Sequence, residues 1–170
     1  CYVINTHVHP DHIFGNSAFK DIPNVKFVGH AKLARAMAAR GPFYIARSME
    51  QIAVNLTEKD IIPPSITVKN SLELDLGGRI LVLKAYPTAH TDNDLTVFDK
   101  QTNTLWMSDL LFVGHLPVLD GSLNGWLKVI AELEKQSFGV VIPGHGSIDR
   151  DWPKSVRAEK YYLQKLATDV

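Results

Sequence analysis

The chain opens on the apolar run Tyr2-Val3-Ile4, which reads as a short buried strand broken at Asn5-Thr6. A short helix over 13–19 and a strand over 25–29 are expected next. Residues 31–40 are alanine-rich, with Leu33 and Met37 four apart, and predict a helix that Gly41-Pro42 ends. A second helical piece is expected over 44–54. Met37, Phe43, Tyr44 and Met49 read as core or lid packing, with a substrate entrance as the alternative. Ile61-Ile62-Pro63-Pro64 is unsuited to a central strand and reads as a connector. From Ile66 the pattern changes to strands over 66–68, 72–76 and 79–86, the last two joined by a Gly77-Gly78 hairpin turn. Residues 95–99 and 104–107 form a second hairpin about a polar turn at 100–103. Ser122 can cap a helix over 123–135 whose Leu123, Trp126, Leu127, Ile130 and Leu133 share one face. A strand over 138–142 follows. Asp151 caps a last helix, with Pro153 in its first turn and Val156, Leu163 and Leu166 turned inward.

Alternating strands and helices without repeats or linkers indicate an α/β chain, and 170 residues suit a single domain over 1–170. Lysine plus arginine and aspartate plus glutamate both number 18, so no global basic field favours nucleic acid. No apolar run reaches the length of a membrane span. Cys1 is the sole cysteine, which excludes an internal disulfide and a cysteine-based zinc site. No signal peptide is visible, and the chain starts on a strand, so a preceding segment is expected.

Candidate chemistry concentrates just past the first strand, in Thr6-His7-Val8-His9-Pro10-Asp11-His12. Neutral imidazole and carboxylate suit zinc or a similar borderline metal, and a strand end is a rigid place from which to aim them. In extended backbone His7 and His9 point the same way, while Asp11 and His12 lie beyond a turn at Pro10. One loop can therefore offer two ligands to each of two ions. A solvated histidine-rich loop is the plain alternative, and it accounts poorly for three imidazoles and a carboxylate within six positions.

The same stretch has the form H-x-H-x-D-H and resembles the signature of the metallo-β-lactamase superfamily, flanks Asn5-Thr6 and Gly15-Asn16 included. Downstream, His90 in Thr88-Ala-His-Thr-Asp92, Asp109 in Ser108-Asp-Leu-Leu-Phe112 and His145 in Pro143-Gly-His-Gly146 stand in the order that family uses. The resemblance implies an αββα sandwich, here apparently lacking its N-terminal strands. It implies two zinc ions per chain: His7, His9 and His90 on one, Asp11, His12 and His145 on the other, and Asp109 bridging. Asp11 and Asp109 would be the catalytic carboxylates. A metal-bridging hydroxide would cleave an ester, thioester or lactam bond of a small-molecule substrate.

His9 stands where di-iron redox relatives usually carry glutamate, which favours hydrolysis. Ser-Asp-Leu-Leu-Phe resembles the Gly-Asp-x-Leu-Phe of glyoxalase II, and residues 108–127 look closest to the zinc metallohydrolases of quinoprotein relay systems. Between a periplasmic and a cytoplasmic location, the periplasm is suggested by that subgroup resemblance alone. Two rivals stand: a phosphodiesterase or nuclease of the same fold, and a non-catalytic metal-binding fragment. His115 is open to two readings, a substrate or proton-transfer role and a surface histidine. Asp92 and Asp94 either orient His90 or cap its turn, and His30 reads as structural. Missing N-terminal strands would leave apolar surface at residues 2–4, 25–28 and 80–83, to be covered by a homo-oligomer or a separate N-terminal piece.

Overall fold

The computed structural model describes residues 1–52 and 55–169. Its contacts divide into two compact units, Cys1–Lys69 and Asn70–Val170. In the first, β1 (Tyr2–Ile4), β2 (Lys26–His30) and β3 (Ile66–Val68) form a parallel sheet in that order. Parallel neighbours need crossover connections. The first carries α1 (Pro10–Ile13) and a 3-10 stretch, Phe14–Phe19, where the sequence suggested one short helix. The second carries α2 (Leu33–Ile52). Val8, Ile13, Leu33, Ala36 and Met37 pack into a buried cluster flanked by Phe14, Tyr44 and Ile61. Met37 is thus core, whereas Phe43 is 62% exposed.

The helix expected to end at Gly41-Pro42 continues through Pro42. An interior proline forfeits a backbone bond and crowds the preceding turn, at a cost of about 3 kcal/mol. Leu33, Ala36 and Met37 before it and Tyr44 after it join the same apolar cluster, so packing on both sides carries the helix across. The expectations for Val54 and for the Met49 side chain lie outside the described residues.

The second unit is a five-stranded sheet, β4 (Ser71–Asp75), β5 (Ile80–Ala85), β6 (Leu95–Asp99), β7 (Thr104–Phe112) and β8 (Val140–His145), paired in sequence order. The pairs from β4 through β7 are antiparallel, and β8 lies parallel to β7. At the β4–β5 turn Asp75 Oδ1 accepts from the N–H groups of Gly77 and Gly78 at 2.9 and 2.7 Å. The crossover from β7 to β8 holds α3 (Leu123–Leu133), capped as expected by Ser122, whose Oγ accepts from Gly125 N at 3.1 Å. Trp126, Val129, Ile130 and Leu133 are buried against Met107, Leu110, Leu111 and Val141, with Val156 and Leu163 of α4 (Lys154–Asp169). Before α4, the Asp151 carbonyl accepts from Lys154 N at 2.9 Å; the Asp151 side chain is exposed.

β1 lies at the edge of its sheet, with Tyr2 39% exposed. β2 and β5 are interior to theirs; Phe27, Val28 and Leu83 are buried, whereas Val25, Ile80, Leu81 and Val82 are half-buried. Among the described residues no helix is long and apolar enough to cross a membrane.

Trp126 anchors the second unit: it is fully buried and its Nε1 donates to Leu110 O at 3.1 Å. Trp126→Ala should lower unfolding free energy by about 3–5 kcal/mol, the range for emptying an aromatic site in a core. Urea unfolding monitored by circular dichroism measures this, and a loss below about 1 kcal/mol would show that the site collapses without harm.

Candidate metal centre

In the first unit the histidine loop leaves β1 where Asn5 N donates to Val28 O at 2.8 Å. The Asn5 side chain then turns inward. Its Nδ2 donates to His12 O at 2.8 Å and to Asn16 Oδ1 at 2.9 Å, and Asn16 Nδ2 donates back to Asn5 Oδ1 at 2.9 Å. Both amides are 2% exposed, so this pair is a buried clasp that fixes the two ends of the loop. Within it, Thr6 Oγ1 lies 3.2 Å from His7 Nδ1 and 3.3 Å from His12 Nδ1. His7 Nε2 faces His9 Nδ1 at 3.0 Å, and His12 Nε2 faces Asp11 Oδ2 at 3.2 Å. The rings of His7 and His12 are 4.1 Å apart. His7 is buried; Asp11, at 55% side-chain exposure, is the most open of the four.

In the second unit β7 brings Asp109 to its site by a distortion. Its register against β8 shifts at Ser108, which sits in the left-handed region at φ 52°. Such a bulge re-aims the following side chain. One oxygen, Asp109 Oδ2, then lies 3.6 Å from His90 Nε2 and 3.3 Å from His145 Nε2. Gly144 makes this approach feasible, because a Cβ there would stand 1.9 Å from Asp109 Oδ1. Phe112 wedges between the two histidines, stacked on His145 at 5.1 Å and tilted to His90 at 5.7 Å. His115 is exposed, its ring 6.3 Å from that of His145.

His90 Nδ1 lies 2.7 Å from Val118 O. A carbonyl oxygen can only accept, so Nδ1 carries the proton and Nε2 of the neutral ring presents its lone pair toward Asp109. A lone pair facing a carboxylate needs positive charge between them, either a second ring proton or a metal ion. The donor set, imidazole nitrogen and carboxylate oxygen, is that of zinc. His7, His9, Asp11 and His12 in the first unit and His90, Asp109 and His145 in the second are thus donors that can hold a metal ion.

A sequence profile of the metallo-beta-lactamase superfamily matches residues 1–145. The chain belongs to that superfamily. Its mixed α/β architecture of two sheets and four helices is the metallo-β-lactamase fold. Among solved structures, a metallo-beta-lactamase from Pontibacter korlensis matches with a TM-score of 0.74 at 20% identity, over 95% of this chain and 67% of that one. Metallo-beta-lactamase IND-7 matches at 0.73 and 18% identity, over 96% and 67%. A metallo-beta-lactamase from Hirschia baltica matches at 0.68 and 16%, over 95% and 67%. At such identities the likeness speaks for the fold. No match is found among curated proteins.

Two expectations about supporting residues are sorted by this member of the superfamily. Asp94 caps the His90 turn, accepting from Thr91 N at 3.0 and 3.1 Å and from Thr91 Oγ1 at 2.6 Å, while Asp92 Oδ1 accepts from Asn93 Nδ2. His90 is oriented instead by the Val118 carbonyl, which no pattern of side chains announces. Burial pushes the Asp94 carboxyl up to about 7 despite its hydrogen bonds from Thr91, with Asp109 and Asp92 adding to the rise. His30 is structural as read: it is buried, and its Nδ1 accepts from Lys32 N at 2.9 Å.

Glu159 of α4 was not singled out. It is 5% exposed, and its Oε1 accepts from Phe112 N at 3.0 Å, tying α4 to the end of β7. A buried acid at a helix position gives no sign in a sequence until the helix has a face.

Ser108→Gly should cost little, because the side chain at positive φ already costs roughly 1–2 kcal/mol, whereas the β-branched Ser108→Val should destabilise clearly. Thermal melting of both variants decides; equal losses would remove the strain argument.

Burial pushes the Glu159 carboxyl up to about 8, against the hydrogen bond from Phe112 N and helped by Asp109. The folded state therefore holds a proton that the unfolded chain releases near pH 4.5. This contribution is complete below that pH and is lost as pH rises through about 8. Stability should fall by up to about 1.4 kcal/mol per pH unit in that window, and Glu159→Gln should flatten the slope. Urea unfolding at pH 5, 7 and 9 tests it, and an unchanged slope in the variant would refute it.

Proposed function

We propose that the chain is a zinc-dependent hydrolase whose two sets of donors act as one dinuclear centre. In this reading His7, His9, His90 and Asp109 hold one ion and Asp11, His12 and His145 the other, with Asp109 shared. The observation that carries it is the arrangement of Asp109, which turns one oxygen toward the Nε2 atoms of both His90 and His145. A carboxylate fits that position as a shared ligand. Superfamily membership supports hydrolysis as the reaction class.

Zinc bound there would supply a water acidified toward a pKa near 7 and a Lewis acid for the scissile carbonyl. The chain's own residues do the rest. The Asn5–Asn16 clasp fixes the loop bearing four donors, and Phe112 packs against the rings of both His145 and His90. Asp11 is exposed enough to meet solvent or substrate. His115 stands near His145 and can contact a bound substrate or pass a proton. No serine or cysteine nucleophile is required; the sole cysteine, Cys1, is exposed.

The substrate we favour is a small molecule with an ester or thioester bond, ahead of a lactam, because Asp109 with its Ser-Asp-Leu-Leu-Phe flank resembles the thioester hydrolases. The phosphodiesterase reading uses the same donors, and the balanced charge of 18 basic and 18 acidic residues weighs against it.

Asp109→Ala should lower zinc content and reduce hydrolysis by at least roughly 100-fold, while His115→Ala should cost less than tenfold and leave zinc in place, as expected for a shared ligand against a peripheral group. Metal analysis with a panel of thioester, lactam and phosphodiester substrates tests this. Equal small losses in both variants at unchanged metal content would remove Asp109 from the mechanism, and a proficient lactamase inactive on thioesters would overturn the substrate ranking.

A further inference from the structure

The segment after β7 lies along the turn that carries His90, and backbone contacts make the seam. Asp120 N donates to His90 O at 3.0 Å and Ser122 N to Ala89 O at 2.8 Å, while His90 Nδ1 donates to Val118 O at 2.7 Å. At the centre sits Gly121. A Cβ on it would stand 2.4 Å from Ala89 O and 3.0 Å from both His90 O and Thr91 O. Those are backbone atoms of a turn already fixed by Asp94, so they cannot yield as a side-chain tip would. Any side chain at 121 therefore pushes the two segments apart.

We propose that Gly121 is a positioning residue for His90, closing the 118–122 segment onto the turn so that the Val118 carbonyl holds the Nδ1 proton and Nε2 presents its lone pair toward a metal. The proposal rests on the zinc reading of the site. Hydrogen bonding of a ligand's second ring nitrogen fixes its tautomer and raises its basicity, and loss of such a partner typically weakens metal binding 10–100-fold. Here the partner is a main-chain carbonyl, so its placement depends on backbone approach and hence on the absence of a side chain three residues on. Leu116, Val118 and Leu119 of the same segment are exposed, so its own side chains add little packing to hold it in place. The hydrogen-bonded seam is what does so.

The experiment combines two readouts on Gly121→Ala, with Gly77→Ala as a control for lost stability at a distant positive-φ turn. Nitrogen-15 spectra of the imidazoles, taken on metal-free protein, report the His90 tautomer, and calorimetric titration with zinc reports affinity. Wild type should show His90 protonated at Nδ1. Gly121→Ala should show a mixture of tautomers and bind zinc at one site at least roughly tenfold more weakly, while Gly77→Ala binds as wild type does. Wild-type His90 protonated at Nε2, or Gly121→Ala with wild-type tautomer and affinity, would overturn the proposal; so would an equal loss in Gly77→Ala. If Gly121→Ala does not fold, the wild-type tautomer still decides. A wild type that takes up no zinc would overturn the zinc reading, and the metal-free tautomer would remain the separate measure of Gly121.

Discussion

Asp109 turns one buried carboxylate oxygen toward two imidazole nitrogens, and one of those nitrogens is left with its lone pair by a main-chain carbonyl. A carboxylate oxygen and an imidazole lone pair are both acceptors, and bringing them together in a protein interior calls for positive charge between them, because desolvation leaves each of them costly. The rest of the second unit can be understood from that requirement. The bulge at Ser108, the bare backbone at Gly144 and the Phe112 wedge all serve to bring the carboxylate and the rings to one place. Each carries a local cost, in backbone strain or in packing freedom, that the buried cluster around Trp126 offsets.

The first unit meets the same need by different means. Four donors share one loop, and its conformation is imposed by a pair of buried amides, one at the end of β1 and the other in the 3-10 stretch. Reciprocal amide bonds are directional, so the six-residue donor run keeps one geometry although its first half, His7–His9, lies outside regular structure. Both units thus place candidate donors on or just beyond strands and brace them with polar contacts behind.

Much of this was legible in the sequence, for physical reasons. Period-two stretches gave the strands of the second unit, Gly77-Gly78 gave its first hairpin, and Ser122 gave the start of α3, because each depends on nearby residues. The donors themselves were legible, since His and Asp at strand ends carry their chemistry in their identity. What was not legible depends on distant chain. α2 crosses Pro42 because residues on both sides find one cluster. β7 extends to Phe112 through polar Ser108 and Asp109 because β8 lies beside it. His90 finds its partner in a carbonyl 28 residues away rather than in the neighbouring Asp92 or Asp94. Asn5 and Asn16 were visible as flanks, but their mutual clasp was not.

The central claim is that the donors of the two units together bind two metal ions. Anomalous diffraction at the zinc absorption edge, from crystals of the zinc-loaded chain, tests it most directly. The account predicts two zinc peaks about 3.5–4 Å apart, with His7, His9 and His90 on one, Asp11, His12 and His145 on the other, and Asp109 touching both. A single peak held by one unit's residues, or no peak near Asp109, would contradict it.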